Sequence, residues 1–96
     1  MQVHILVQEY LSFWDNDFTT NVYAFKDRQS AINYLKELKE STLEEIMEEN
    51  KYDSIERLRI DCDYLEIEDD DFFGIRLEEY GTECLYISKQ DVMEMN

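Results

Sequence analysis

The side chains of this chain that could do chemistry are almost all carboxylates. Asp and Glu supply 24 of the 96 residues, whereas His4 is the single histidine and only two glycines occur. A catalytic nucleophile needs a base and a group that orients it, and a zinc site needs several imidazole or thiolate ligands. Carboxylates are so abundant that no one pair stands out as an acid and a base. The sequence therefore predicts a protein that is not an enzyme and holds no metal or cofactor, with His4 at the surface or hydrogen-bonded.

Two acidic stretches offer oxygen ligands for a divalent cation. They are "DCD" at 61–63 and "EDDD" at 68–71. An EF-hand loop also needs a glycine at its sixth position and a glutamate at its twelfth. No glutamate stands at the twelfth position, whether the loop starts at Asp61 or at Asp69. A weak, exposed cation site is the alternative interpretation of these acids.

A row of glutamates occupies the predicted helix between residues 27 and 52. Residues three or four apart lie on one side of a helix, and four-residue steps place their carboxylates about 6 Å apart along its axis. One interpretation is a solvated face that keeps the protein soluble; the other is an anionic array that imitates the phosphates of a nucleic acid. The row consists of Glu37, Glu40, Glu44 and Glu48, flanked by Glu45 and Glu49.

The negative charge is concentrated in the second part of the chain. The net charge is −15. Residues 1–36 carry four acids against three bases, and residues 37–96 carry the other twenty acids against six bases. Nucleic acids and anionic membranes both require a basic patch, so direct binding to either is not expected. We expect a basic protein surface as the partner, and a cytoplasmic location because neither a basic leader nor a long apolar run is visible.

The first two strand-like runs predict a β-hairpin around "WDND". Val3 to Phe13 alternates with period two, and 18–25 forms a matching run. Pairing Phe13 with Phe18 makes the apolar faces of the two strands coincide, so we expect the Val3 face to be buried. The opposite face carries Leu6 and aromatic residues, and we expect later segments to cover part of it.

The middle of the chain predicts helix. Asp27 is placed as an N-cap, and the helix continues as one kinked segment or restarts at the capping box "STLE", 41–44. Residues 53–63 fit either a short helix capped within "DSIE" or a strand. "SKQDVMEM", 88–95, is expected to add a helical turn.

Three further runs predict a strand meander. They are 64–68, 72–79 and 83–88, with the acids 69–71 and Gly81 at turns. The chain therefore predicts one domain of α+β class: an antiparallel sheet of four to five strands with one long or broken helix packed on one face. Acids within the strands are expected to point to the wet face of the sheet. Cys62 and Cys84 are expected to be buried thiols, or a bridge if they face each other on neighbouring strands.

Aromatic residues cluster at the first turn, in "FWDNDF", 13–18. We expect Phe13 and Phe18 to close the hairpin core and Trp14 to cover its end. If Trp14 is exposed, it belongs to a mixed acidic and aromatic binding surface or to a homodimer contact.

Small, very acidic, cysteine-poor α+β chains resemble the nucleic-acid mimics that phages and mobile elements encode to block restriction or CRISPR enzymes and other DNA-binding proteins. The resemblance lies in surface character and not in a motif, so it assigns no individual position. It implies a non-enzymatic inhibitor that engages a basic protein surface. The alternative is an α+β domain with a weak cation site or a homo-oligomer contact and no mimicry. The predicted partner-binding residues are Glu37, Glu40, Glu44, Glu45, Glu48, Glu49, Glu66, Glu68, Asp69, Asp70, Asp71, Glu78, Glu79 and Trp14.

Overall fold

A five-stranded antiparallel sheet organises the chain in a computed structural model that describes residues 2–91. Two helices lie on one side of this sheet, which confirms the predicted α+β class. The strand order across the sheet is β2-β1-β5-β4-β3, so β2 and β3 form its edges. The elements are β1 (Gln2–Ser12), β2 (Phe18–Phe25), α1 (Arg28–Asn50), α2 (Ile55–Asp61), β3 (Tyr64–Glu66), β4 (Phe72–Leu77) and β5 (Gly81–Asp91).

The hairpin of β1 and β2 forms with a different register from the one expected. Leu11 lies opposite Phe18, so the predicted pairing of Phe13 with Phe18 is wrong by two residues. Phe13 belongs to the turn, which is closed by a 3.0 Å hydrogen bond from the Ser12 N–H to the Asp17 carbonyl. Asn16 takes a left-handed conformation there, with φ 59°. Because the shift is an even number of residues, each side chain keeps its predicted face.

The helices cover the face of the hairpin that carries Leu6, which we expected later segments to cover only in part. Leu6 is fully buried, and Tyr23 and Phe25 pack with their ring centroids 4.9 and 5.9 Å from that of Tyr34 on α1. The predicted burial of the Val3 face is therefore wrong. Both faces are apolar. α1 covers the face with the larger aromatic side chains, because burying them removes more apolar area from solvent.

α1 is one continuous helix. It begins after Asp27, as predicted: the Asp27 carboxylate accepts a 2.8 Å hydrogen bond from the Ser30 N–H, which satisfies one free donor of the first turn. Of the two alternatives, the single helix forms and the restart at Ser41 does not, because α1 continues without a break through residues 41–44. Lys51 ends the helix in a left-handed conformation, with φ 59°.

Residues 53–63 contain helix α2, so the helical alternative is confirmed. The Ser54 hydroxyl caps it by accepting a 3.2 Å hydrogen bond from the Arg57 N–H. Leu58 is the residue that α2 buries in the core. Neither helix within residues 2–91 is long and apolar enough to cross a membrane.

The meander forms, with shorter strands than predicted at β3 and β4. Residues 78 and 79 are in the turn before β5, and residues 88–91 continue β5, so the predicted helical turn at 88–95 is wrong over its first half. The second half lies outside the described residues.

Gly81 is required at the start of β5, because its φ is 130° and a Cβ there would collide with the Leu11 carbonyl.

The core lies between the sheet and the two helices. It is built from fully buried aliphatic and aromatic side chains of every layer: Leu6, Leu35, Ile46, Leu58, Phe73, Ile75, Leu77 and Leu85. The alternation of buried and exposed residues along β4 follows the predicted pattern, with Phe73, Ile75 and Leu77 inward. The other face of the sheet is left without a covering layer by residues 2–91.

Candidate functional site

The glutamates of α1 form an exposed acidic face. The residues that α1 buries include Ala31, Leu35, Thr42 and Ile46, and they define its inner side. At about 100° per residue, the row of four glutamates lies on the opposite side, pointing away from the sheet. Of the two flanking glutamates, Glu45 is exposed at an edge of the helix, and Glu49 is exposed in its last turn on the same side as the buried Thr42. The α1 glutamates are Glu37, Glu40, Glu44, Glu45, Glu48 and Glu49.

The α1 glutamates form no ion pairs with other side chains within residues 2–91. The ion pairs found in that range join Arg28 to Asp71, Arg59 to Glu68 and Arg76 to Asp63. Lys39, which is on α1, turns instead to the loop after β3 and donates a 3.2 Å hydrogen bond to the Ile67 carbonyl. The helix therefore presents its carboxylates to solvent without neutralising partners.

The acidic loop, residues 68–71, differs because basic side chains hold two of its four acids. Glu68 lies 2.8 Å from the Arg59 guanidinium, and Asp71 lies 3.0 Å from that of Arg28. The hydrogen bond from the Ile67 N–H, together with Arg59, lowers the pKa of Glu68. Asp69 and Asp70 are exposed. This loop is thus partly neutralised by the protein itself.

A third acidic group lies at the β4–β5 turn, beside the exposed tryptophan. Trp14 is 79% exposed, and its Nε1–H donates a 2.8 Å hydrogen bond to the Glu79 carbonyl. Phe13, Trp14, Glu78 and Glu79 line a hollow of about 430 Å³. The expectation that Trp14 covers the hairpin end is wrong, and its exposed ring lies beside two glutamates of the β4–β5 turn.

The acids of the strand region do not form a second row. Of the eight acids between residues 66 and 83, only Glu66 and Glu83 lie in strands; the others lie in the acidic loop and in the β4–β5 turn. These two groups are at opposite ends of β4, about 20 Å apart by the length of a six-residue strand. Within 66–83, the expectation that strand acids point to a wet sheet face holds for the half-buried Glu66 of edge strand β3 and is wrong for Glu83, which points to the helix side.

The acids that could bind a divalent cation at residues 61–63 make other contacts instead. Asp61 accepts a 2.7 Å hydrogen bond from the Tyr52 hydroxyl, and Asp63 lies 3.7 Å from Arg76. No three His, Cys, Asp or Glu side chains in the described part of the chain converge as a metal site would require. The geometry gives this alternative no support.

Glu83 is the chemically distinctive residue that the sequence did not reveal. It is only 3% exposed, on the helix side of β5. Its carboxylate accepts hydrogen bonds from the Thr42 hydroxyl at 2.8 Å and from the Tyr80 hydroxyl at 2.7 Å. Burial and the Glu83 charge together raise the pKa of Tyr80. This cluster ties α1 to the sheet and is closed to a partner.

The two cysteines are separate thiols, so the bridge considered from the sequence does not form. Cys62 packs against the core on the helix side, whereas Cys84 points to the uncovered side of β5. Burial raises the pKa of both thiols, that of Cys62 to about 11.

His4 also differs from expectation, because its Nδ1 is buried without a hydrogen bond among the described residues.

Comparison of the chain with protein-family models, with curated proteins and with solved structures finds no match.

Proposed function

We propose that this protein is a cytoplasmic, non-enzymatic inhibitor whose α1 glutamates engage the basic surface of a nucleic-acid-binding protein. The observation that carries the proposal is the set of six exposed carboxylates on one helix, free of ion pairs within residues 2–91. Each like-charge neighbour on a helix costs on the order of 0.2–0.5 kcal/mol. A cationic partner surface offsets that repulsion, and solvent alone does so less well.

The axial density of charge on α1 supports imitation of a nucleic acid. Glu37 and Glu49 are separated by about 18 Å at 1.5 Å per residue, so the six carboxylates average one per about 3.6 Å of helix axis, in steps of about 1.5 to 6 Å. One strand of a DNA duplex presents a phosphate about every 3.4 Å. A protein groove that binds one DNA strand therefore meets a similar average density of negative charge along α1, although the spacing is less regular.

The Trp14 hollow supplies an anchor beside this charged surface. Thr42 of α1 and Tyr80 of the β4–β5 turn both donate hydrogen bonds to Glu83, so the middle of α1 lies beside this turn. Trp14 adds an exposed aromatic ring there, and tryptophan is enriched among the residues that dominate binding energy. The acidic loop is assigned a smaller part, because Arg28 and Arg59 already satisfy two of its acids.

The test is capture of basic proteins from a cell lysate at low salt, with duplex DNA as the eluting competitor. The variant Glu40→Gln/Glu44→Gln/Glu48→Gln removes three charges from the outward row. Its matched control, Asp17→Asn/Asp53→Asn/Glu56→Gln, removes three exposed charges that lie outside the predicted partner-binding residues. We expect DNA to release the partner from wild type and from the control variant, and the α1 variant to capture far less of it.

Two outcomes contradict the proposal. If the α1 variant and the control variant capture the partner equally, net charge and not the α1 face governs binding. If DNA does not displace the captured protein, the partner uses a surface other than its nucleic-acid site.

A further inference from the structure

The sheet face that the helices leave uncovered is broadly apolar. It carries alternate residues of the strands, among them Ile5, Val7 and Leu11 of β1, Phe18 and Val22 of β2, and Tyr64 of β3. Phe18 and Val22 are 64% and 61% exposed. We refer to this side of the sheet as the open face. Contiguous apolar patches of several hundred Å² on a protein surface mark interaction sites.

The open face carries little charge although the chain has a net charge of −15. Its charged side chains within residues 2–91 are Glu9, Glu66 and Arg76, and two of them are held within the face. Glu9 accepts a 3.1 Å hydrogen bond from the Tyr86 hydroxyl. The Arg76 guanidinium lies 5.1 Å from the centre of the Phe13 ring. A highly basic partner therefore suits α1 but gains no favourable contacts on the open face. A flat, apolar and nearly neutral surface is the partner that suits the open face.

The area of the open face matches what a homodimer needs. The five strands contain 39 residues in total, which at about 3.3 Å per residue and about 4.8 Å between strands cover roughly 600 Å². Two copies would then bury about 1,200 Å² in total, the lower end of the range for specific interfaces. A hollow of about 240 Å³ beside Leu11 and Phe18 gives a protruding side chain of the second copy a place to insert.

We propose that two copies of this chain pack through their open faces, sheet against sheet, into a four-layer homodimer. Two sheets pack face to face at about 10 Å in this way, through alternate side chains of each strand. The arrangement leaves both sets of α1 glutamates on the outside. Because the repulsion between two acidic copies is long-range and screened by salt, dimerisation strengthens as salt is added. Binding of a basic partner to α1 has the opposite salt dependence, so either proposal can fail without the other.

The test is sedimentation velocity over a concentration series, at low and at high salt. Wild type is expected to shift from 11.7 kDa to twice that mass with concentration, and more readily at high salt. Val22→Asp puts a charge on the open face and is expected to raise the dissociation constant about tenfold or more, because each copy buries an unpaired carboxylate. Val22 is mostly exposed in one copy, so the variant still folds.

Two controls carry the same new charge elsewhere. Thr19→Asp lies on the same edge strand with its side chain on the helix side, and Ile60→Asp lies on α2, where Ile60 is 77% exposed. Both are expected to dimerise like wild type. If Thr19→Asp disrupts the dimer as much as Val22→Asp, the copies join through the edge of β2 and the proposal is wrong. A wild type that stays at 11.7 kDa at high salt and high concentration also overturns it.

Thiol labelling gives a second readout on the unmodified chain. Cys84 lies on the open face and Cys62 on the helix side, and both thiols are half-buried. Face-to-face packing is expected to slow alkylation of Cys84 several-fold as protein concentration rises, with Cys62 unchanged. Equal slowing of both cysteines, or of neither, contradicts the open-face contact.

Discussion

Glu83 sets the strongest expectation at the scale of a single residue. Its buried carboxylate depends on two hydroxyl donors, one of them Thr42. Thr42→Val removes that donor with little change in shape, so the free energy of unfolding should fall by about 1–3 kcal/mol. Urea denaturation measures it. Thr19→Val, at an exposed position, is the control and should change stability by less than about 0.5 kcal/mol. Equal effects would show that the Thr42 hydrogen bond contributes nothing.

Tyr52 sets an expectation for alkaline pH. Its hydroxyl donates a 2.7 Å hydrogen bond to Asp61, which raises the pKa of Tyr52 from 10.0 to about 12. The neutral phenol is therefore favoured in the folded state. Its contribution is complete below pH 10 and is lost as the pH rises from about 10 to 12, because the unfolded chain ionises first. Stability measured across this window should fall less steeply in Tyr52→Phe than in wild type; parallel curves would contradict the assignment.

Residue type alone could not show which carboxylates of residues 66–83 are buried and which are exposed. Glu79 is exposed in a turn, and Glu83 is buried beside α1, yet each lies next to a strand of similar composition. The difference arises from Thr42 and Tyr80, and Thr42 is 41 residues away along the chain. No local pattern contains that contact. Asp27 shows the opposite case, since its capping role depends on residues within one turn and was predicted correctly.

At the scale of elements, the left-handed end of α1 offers a gain in stability. Lys51 has φ 59°, a conformation that costs a residue with a Cβ about 1 kcal/mol and costs glycine almost nothing. Lys51→Gly should therefore raise the free energy of unfolding by about 1 kcal/mol. Lys36→Gly, an exposed position within α1 with the same loss of charge, should lower it by about 1 kcal/mol. Thermal denaturation of both variants shows whether each one gains or loses stability. A loss of stability in both variants would refute this account of the cap.

The repulsion within the outward row of α1 predicts a second gain. Replacing Glu40, Glu44 and Glu48 by Gln relieves like-charge contacts at four-residue spacing, and stability should rise by less than about 1 kcal/mol. The gain should shrink at high salt, where these charges are screened. Urea denaturation at two salt concentrations measures both effects. A loss of stability would mean that the row makes favourable contacts that its exposure does not suggest.

The elements themselves were largely predictable, and the covered side of the sheet was not. Strand alternation, the Asp27 cap and the turn residues are local signals, and the sheet and α1 follow from them. Val3, Ile5 and Val7 alternate as clearly as Leu6 and Tyr23 on the other side, so period two alone does not decide which face is buried. The choice follows from where α1 places Tyr34, a long-range contact. The hairpin register was likewise set by the Ser12–Asp17 turn, which lengthened the loop.

At the scale of the whole molecule, charge and apolar surface are separated onto two sides of a thin slab. The dimensions are 54 × 27 × 18 Å, and the shortest corresponds to one helix layer on one sheet. The acidic side suits a basic partner, and the open face suits a second copy. Because the two contacts use opposite sides, dimerisation would place two α1 surfaces on opposite outer sides of one particle, where each can engage a separate partner molecule.

The most direct test of the acidic-surface proposal is the affinity of the captured partner for wild type and for the Glu40→Gln/Glu44→Gln/Glu48→Gln variant, titrated at low and at physiological salt. If the α1 glutamates stand in for phosphates, the variant should bind about tenfold or more weakly at low salt, and the difference should narrow as salt screens the attraction. Equal affinity of the two proteins at low salt would contradict the proposal.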